Sequence, residues 1–306
     1  MDKKRCPACT IDIDPEIIRE VNNFTLNRCP TCGLIFSDPM KNPGAEWYKS
    51  LFRKSALNFV YDGLGWYHKQ FLEDKMNYGL RLLDIGCGTG IFLDSARKKG
   101  YKVYGIDINR EVVDIAKERY NLKEVYAIDE EEFCDNFTYE KFDVITFFEV
   151  MEHLNNPAQF VGRVKKMLKP RGYVVLSVPN NDRVLEAIDC DIPPHHLTKW
   201  SKSCLSNFLK KNEFEIIRFI ARRIDIDDIT AYLMSKIDLG IARKLGEHYM
   251  ETRRQNYAKR AAILIKIKYL IFKLLSFICM PFLTLFYIEE IEGIRGLNLY
   301  VVARSK

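Results

Sequence analysis

From residue 81 onward, short apolar runs alternate with longer stretches whose apolar residues recur at helical spacing. The runs at 81–85, 102–106, 124–128, 142–147 and 172–178 predict strands, and the stretches at 91–99, 110–119, 156–168 and 202–211 predict helices. That alternation predicts a parallel sheet with helices on both faces. Pro170-Arg171-Gly172 stops the helix before the fifth strand. Phe214–Arg222 predicts a sixth strand and Leu297–Ala303 a seventh, with Leu297, Leu299 and Val301 on one face and Asn298, Tyr300 and Val302 on the other.

The first strand runs into Asp84-Ile85-Gly86-Cys87-Gly88-Thr89-Gly90, and Arg97 to Gly100 closes the helix that follows. A strand, a glycine loop and a helix form the cradle in which an α/β sheet receives a nucleotide. A dinucleotide fingerprint would place its last glycine where Ile91 stands. Asp84 at the loop mouth would repel a pyrophosphate and suits a ligand carrying sulfonium and ammonium charges. Asp107 ends the next apolar run, 21 residues after Gly86, where an acid reaches ribose hydroxyls.

Asp84, the three glycines and Asp107 in one β-α-β frame resemble the class I S-adenosylmethionine-dependent methyltransferases over about residues 60–225 and the strand near 297–303. The resemblance implies a Rossmann-like seven-stranded sheet, six strands parallel and one antiparallel. It also implies that Asp84, Gly86, Gly88 and Gly90 hold the methionine part of the cofactor and Asp107 the ribose. Asp129 matches the position beside the adenine. It also opens an acidic run, Asp129–Glu132, that reads equally as a solvated helix start.

Cys6-Pro-Ala-Cys9 and Cys29-Pro-Thr-Cys32 are separated by 19 residues, a zinc-ribbon spacing in which four thiolates close a tetrahedral structural site. The other five of the nine cysteines are scattered, which fits free thiols in a reducing, cytoplasmic compartment. The expected organisation is a zinc ribbon (1–38), an aromatic helical cap (39–80), the cofactor-binding core (81–225), a basic and apolar helical insertion (226–293) and the final strand (294–306). Met1 to Cys9 is polar and basic, unlike a secretory signal or a membrane anchor.

Net charge is +6, mildly basic, and the segment between the cysteine pairs carries Asp12, Asp14, Glu16 and Glu20 but no lysine, which argues against a nucleic-acid grip. Arg253 to Ile288 holds seven basic residues and no acidic one, and its longest uncharged run, Leu274–Ile288, is 15 residues, shorter than a bilayer span. Lys259, Lys266 and Lys273 form one stripe of a helix. The stretch 253–288 reads either as a helix in an anionic membrane interface, on the inner face, or as a buried pair covering a sheet edge or dimer seam.

The fourth strand ends in Glu149-Val150-Met151-Glu152-His153, placing Glu149, Glu152 and His153 on one side of a helical turn. Pro193-Pro194-His195-His196 precedes the 202–211 helix. In one reading His153 or His196 is a general base, His153 first. In another, Glu149, Glu152, His153 and His196 bind a divalent cation, as the resemblance to metal-dependent small-RNA 2'-O-methyltransferases and ubiquinone-pathway O-methyltransferases implies. In a third, the turn only walls the cofactor, with Glu149 facing the adenine. The whole layout resembles methyltransferases of surface-polysaccharide and lipid-linked glycan assembly. That resemblance implies O-methylation of a sugar, lipid-linked glycan or other small polar acceptor. The alternatives are an RNA 2'-O-methyltransferase and a non-catalytic cofactor-binding or zinc-ribbon interaction protein.

Overall fold

The computed structural model describes residues 3–54, 63–74, 80–136, 141–183, 191–224, 270, 273–274 and 296–306. One compact unit comprises Met1–Asp182, Cys190–Ala221 and Asn298–Lys306. Its N-terminal part folds as β1 (Lys4–Arg5), β2 (Asp12–Ile13), β3 (Glu16–Val21), β4 (Phe24–Arg28) and β5 (Ile35–Asp38). β1 pairs with β2, and β3, β4 and β5 form a meander. Two helices follow, α1 (Ala45–Lys54) and α2 (Trp66–Glu73).

The core then alternates as read. It contains β6 (Arg81–Ile85), α3 (Ile91–Lys98), β7 (Lys102–Ile106), α4 (Arg110–Tyr120), β8 (Val125–Tyr126), α5 (Glu130–Asn136), β9 (Phe142–Phe148), a 3-10 turn at Met151–His153, α6 (Pro157–Met167) and β10 (Leu168–Pro179). After β11 (Thr198–Lys199) come α7 (Lys202–Lys211), β12 (Phe214–Ala221) and β13 (Asn298–Ser305). The seven-stranded sheet has the order β12-β13-β10-β9-β6-β7-β8. β13 is antiparallel to both β10 and β12, and the pairs along β10-β9-β6-β7-β8 are parallel. This is the six-plus-one Rossmann-like arrangement that the methyltransferase resemblance implies.

The helix boundaries follow local chemistry. Asn109, Asn156 and Ser201 each accept a backbone N–H of the following turn with their side-chain oxygen, capping α4, α6 and α7. α7 buries Cys204, Leu205, Phe208 and Leu209 at positions that repeat on one face. The central strand β9 is buried along nearly its whole length, as a strand covered on both faces must be. α2 closes one side of the core. Phe71 is fully buried against Phe92 and Tyr101, and Tyr300 Oη donates to Asp74 Oδ2 at 2.8 Å.

β11 leaves the core sequence to pair antiparallel with β5, Thr198 against Phe36 and Lys199 against Ile35, giving a four-stranded sheet β11-β5-β4-β3. A second compact unit comprises Arg183–Asp189 and Arg222–Leu297, and in it Leu297 N donates to Arg222 O at 2.9 Å. Apart from residues 270, 273 and 274, the insertion read at 226–293, with its basic stretch 253–288, lies outside the described residues. Among the described residues no helix is long and apolar enough to cross a membrane.

Candidate active site

The glycine loop lies at the carboxyl end of β6, and its three glycines are required for different reasons. All three have left-handed backbone, with φ of 79°, 53° and 79° at Gly86, Gly88 and Gly90. A Cβ on Gly86 would lie 2.7 Å from Val150 Cγ2, and one on Gly90 2.7 Å from both Ala116 Cβ and Leu122 Cδ1. A Cβ on Gly88 would meet nothing within 4 Å. Gly86 and Gly90 therefore serve packing, whereas the open space beside Gly88 is room for a ligand.

Two acids bracket that space. Asp84, 3% exposed, accepts from Thr146 Oγ1 at 2.6 Å, and burial holds its carboxyl up to about 8, with Asp107 adding to the effect. Asp107 sits at the tip of β7, accepting from Gly88 N at 3.0 Å and Asn109 N at 2.8 Å, and burial raises it too. A buried acid and a half-buried one, with no cation among their hydrogen-bond partners in the described residues, form a site that gains from a cationic ligand. This donor set and the open cradle fit the methionine and ribose ends of S-adenosylmethionine. Asp129 Oδ1 accepts from Glu132 N at 2.8 Å, so that carboxylate caps α5. The acidic run is thus a helix start, tied through Glu130 to Arg163 on α6.

The acceptor side is built from two loops. After β9 the chain turns through Glu149, at a left-handed φ of 53°, into the 3-10 turn. Glu149 stands outside that turn, and its carboxylate is held by Ser177 Oγ at 2.7 Å and Asn298 Nδ2 at 3.1 Å. The expected helical face carrying Glu149, Glu152 and His153 together is not what forms. Glu152 is 1% exposed, and neither of its carboxylate oxygens has a hydrogen-bond partner among the described residues. Burial raises its carboxyl well above the usual range, with Glu149 as a lesser cause.

Instead, the fold gathers three imidazoles, His153, His195 and His196, whose ligand-type nitrogens lie within 4.8 Å of one another. The ring centroids are 4.5 Å apart for His195–His196, 4.7 Å for His153–His195 and 4.8 Å for His153–His196. His153 Nδ1 lies 2.7 Å from the His195 carbonyl, which can only accept, so Nδ1 carries the proton. Burial, with His196 and His195 as neighbours, lowers the His153 pKa to about 3. The ring is neutral and its Nε2 keeps a lone pair, 3.8 Å from Glu152 Oε1. His196 Nδ1 is 2.9 Å from the buried Asp191 Oδ1, so Nδ1 donates to that carboxylate.

An aromatic wall from α1 covers these rings. Trp47 lies 5.4 Å from His195, and Tyr48 5.7 Å from His153 at 84°, between centroids. Asn42 Nδ2 bridges Tyr48 Oη at 3.1 Å and the His153 carbonyl at 2.7 Å. Sequence reasoning passed over His195 and Trp47 as site residues. The signal for His195 was its place in the His195-His196 pair, because Ile192 O accepts from both backbone amides and curls the two rings together.

The four N-terminal cysteines also converge, their sulfurs lying within 4.8 Å of one another. Cys6–Cys32 and Cys9–Cys29 are 3.6 and 3.7 Å apart. The two turns match in their hydrogen bonds. Cys6 O accepts from Thr10 N and Cys6 N donates to Ile11 O, while Cys29 O accepts from Gly33 N and Cys29 N donates to Leu34 O. Thr10 and Gly33 are both left-handed. A zinc–thiolate tetrahedron has sulfur–sulfur edges of about 3.8 Å for bonds of about 2.3 Å, so the cluster fits zinc. Burial raises the Cys9 thiol to about 11 without a cation, a cost that bound metal would remove.

The family model described as a methyltransferase domain matches residues 66–218, half of the chain and most of the seven-stranded core. The chain belongs to this methyltransferase-domain family. It is 36% identical over 127 residues to a ubiquinone biosynthesis O-methyltransferase of Actinobacillus pleuropneumoniae serotype 7 (strain AP76), covering 38% of this chain and 53% of that protein. It is 37% identical over 122 residues to the protein of the same name from Pasteurella multocida (strain Pm70), covering 36% and 49%. The match thus spans about half the length of these relatives. Among solved structures, phosphoethanolamine N-methyltransferase 2 of Haemonchus contortus, in complex with S-adenosyl-L-methionine, superposes with a TM-score of 0.50 at 16% identity, over 84% of this chain and 60% of that one. This last likeness supports the fold alone.

Proposed function

We propose that this protein transfers a methyl group from S-adenosylmethionine to a hydroxyl of a small polar acceptor, a sugar or lipid-linked glycan. The observation that carries the reading is the pairing of an open, acid-lined glycine cradle with three clustered imidazoles on the adjoining turn and loop. Val150, which abuts Gly86, joins the two sites, since His153 follows it within one turn. The O-methyltransferase names of the curated relatives support oxygen as the acceptor atom.

The bound cofactor supplies an electrophilic methyl carbon. The chain must place the acceptor hydroxyl in line and take up its proton. The His195 carbonyl fixes the His153 tautomer and leaves Nε2 as the nitrogen that would receive the proton, while the burial that lowers this ring to about 3 works against its charged form. His196, oriented by Asp191, is the second candidate base. Glu149, clamped by Ser177 and Asn298, walls the site. The four cysteines hold one structural zinc, and the basic stretch 253–288 supports an acceptor presented at an anionic lipid surface on the cytoplasmic side.

A second reading is favoured by the three clustered imidazoles and the unpartnered Glu152. Here His153, His195, His196 and Glu152 hold a divalent cation that gathers acceptor oxygens, and Glu149, already engaged, is outside the set. Methyl-labelled cofactor incubated with cell extract and separated into lipid, glycan, RNA and small-molecule fractions tests the main reading. Label in the glycan or lipid-linked fraction is the expected result. Label confined to RNA, or none in any fraction from protein that binds the cofactor product, overturns it.

A further inference from the structure

Hydrogen bonds tie the ribbon that carries the cysteines to the two segments that carry the histidines. Ser37 N, on β5, donates to Leu197 O at 2.8 Å, and Leu197 N donates to Glu152 O at 2.7 Å. The ribbon therefore reaches the residue after His196 and, through it, the residue before His153. At the β3–β4 turn Asn22 Nδ2 donates to Pro193 O at 3.1 Å, on the other side of the histidine pair. Lys211 Nζ at the end of α7 donates to the Cys9 carbonyl. Between these anchors, the backbone bonds within the loop are His195 N and His196 N to Ile192 O, at 3.1 and 3.2 Å.

We propose that the four-cysteine ribbon is a positioning element of the acceptor site, holding the 191–197 loop so that His195 and His196 face His153. The proposal rests on the reading that the cysteines bind zinc and that the histidines serve the acceptor. The physical reason is size. The ribbon's strands run from two to six residues, and β3 is mostly exposed. The ribbon's buried residues, among them Ile13, Leu34 and Phe36, pack into the core cluster, and so short a unit has little apolar interior of its own to fix its two cysteine turns without a metal. Without the metal, β5 gives β11 no fixed partner, and the loop is left to its Ile192 turn and its bonds to the 3-10 turn at Glu152 O and His153 Nδ1. Reacting groups tolerate little displacement, with about 1 Å costing on the order of a hundredfold in rate.

The experiment compares zinc-loaded protein, chelator-stripped protein and an Asn22→Gly variant by backbone hydrogen exchange and histidine ring NMR. Calorimetric binding of S-adenosylhomocysteine serves as the control. Asn22 has a left-handed φ of 50°, which glycine adopts freely, so the variant keeps the turn and removes only the bond to Pro193. Stripping zinc is expected to speed exchange of the His195, His196 and Leu197 amides at least tenfold and to shift the ring signals of His153, His195 and His196. S-adenosylhomocysteine affinity should change less than threefold, and added zinc should restore the starting state. Asn22→Gly is expected to give a smaller increase confined to the same loop. Unchanged loop exchange in both samples overturns the proposal. So does a parallel loss of cofactor-product affinity and of protection over 81–107, which would make the ribbon a support of the whole core. Protein that binds no S-adenosylhomocysteine defeats the functional reading, while the exchange comparison still decides this one.

Discussion

Gly88 and Gly90 share a backbone conformation and lie in the same loop, yet alanine at the two positions is expected to fail in different ways. At Gly88, φ is 53° and a Cβ meets nothing within 4 Å. The folded state then loses about 1–2 kcal/mol to left-handed strain, and about 0.4–1 kcal/mol returns through the stiffer unfolded chain. The net cost is about 1 kcal/mol, which lowers the melting temperature by roughly 2 °C in a chain of this size. At Gly90, the new Cβ lies 2.7 Å from Ala116 Cβ and Leu122 Cδ1, both on packed elements. Overpacking adds about 1–3 kcal/mol, for a melting loss of roughly 4–8 °C. Binding should show the reverse order. The Gly88→Ala methyl enters the open cradle, so S-adenosylhomocysteine affinity should fall at least tenfold, about 1.4 kcal/mol or more. Folded Gly90→Ala protein should bind within about threefold of the parent, because its methyl points away into α4 packing. Scanning calorimetry and titration calorimetry on the same samples give both numbers. A Gly88→Ala protein that binds normally, or a Gly90→Ala protein as stable as the parent, would refute the assignment of ligand room to Gly88 and packing to Gly90.

Three further outcomes are expected. Burial leaves Asp84 protonated below about 8 in the free protein, and a cationic ligand favours the carboxylate. The bound pKa is then below the free one, so affinity should be lost as pH falls through about 8 and binding at neutral pH should release a proton. Titrations in buffers of different ionisation enthalpy read that proton, and a buffer-independent heat contradicts the idea. Purified protein should carry about one zinc, and replacing Cys29 and Cys32 by serine should release it. Metal analysis of protein prepared without chelator decides this. His153→Ala should lower turnover by ~10²–10⁴ with cofactor affinity unchanged, and adding back magnesium or manganese after chelation should not be needed. Near-normal turnover of the variant counts against the base, and rescue of a chelated enzyme by those ions supports the metal reading instead.

The core was readable because its strands and helices obey local rules. β6, β7 and α7 fall where the runs at 81–85 and 102–106 and the helical stretch at 202–211 place them, since β6 is a continuous buried run, β7 an apolar run that ends buried, and α7 buries one periodic face. The third strand shrinks to Val125–Tyr126 because it is the sheet edge, paired only to β7. The fifth begins earlier than its apolar run. Arg171 takes a left-handed φ of 61°, and the register shifts between Leu168 and Tyr173, so the Pro-Arg-Gly signal marks an irregularity inside the strand as well as the helix end. The acceptor side was less readable because its geometry is not local. No periodicity reports the positive φ at Glu149 that removes it from the 3-10 turn. Nothing near residue 198 announces a strand whose partner is residue 36. The glycine loop after β6 and the convergence of the four cysteines were legible because both are set by short spacings.

The ladder between β5 and β11 also sets an order of events during synthesis. β3, β4 and β5 leave the ribosome before any of the seven-stranded core, and they can pair among themselves as soon as they emerge. The outer edge of β5 cannot be closed until the chain has been made through Lys199, after the cofactor loop, β9 and β10. For that interval the nascent ribbon presents Ile35 and Phe36, buried in the finished protein, on an open strand edge, the feature that templates unwanted pairing with other chains. Early metal capture by the two cysteine turns would not cover it. Production of this protein should therefore depend on how quickly the segment carrying the histidine pair arrives, and slowing translation before Thr198 should lower the soluble yield more than slowing it after Lys211.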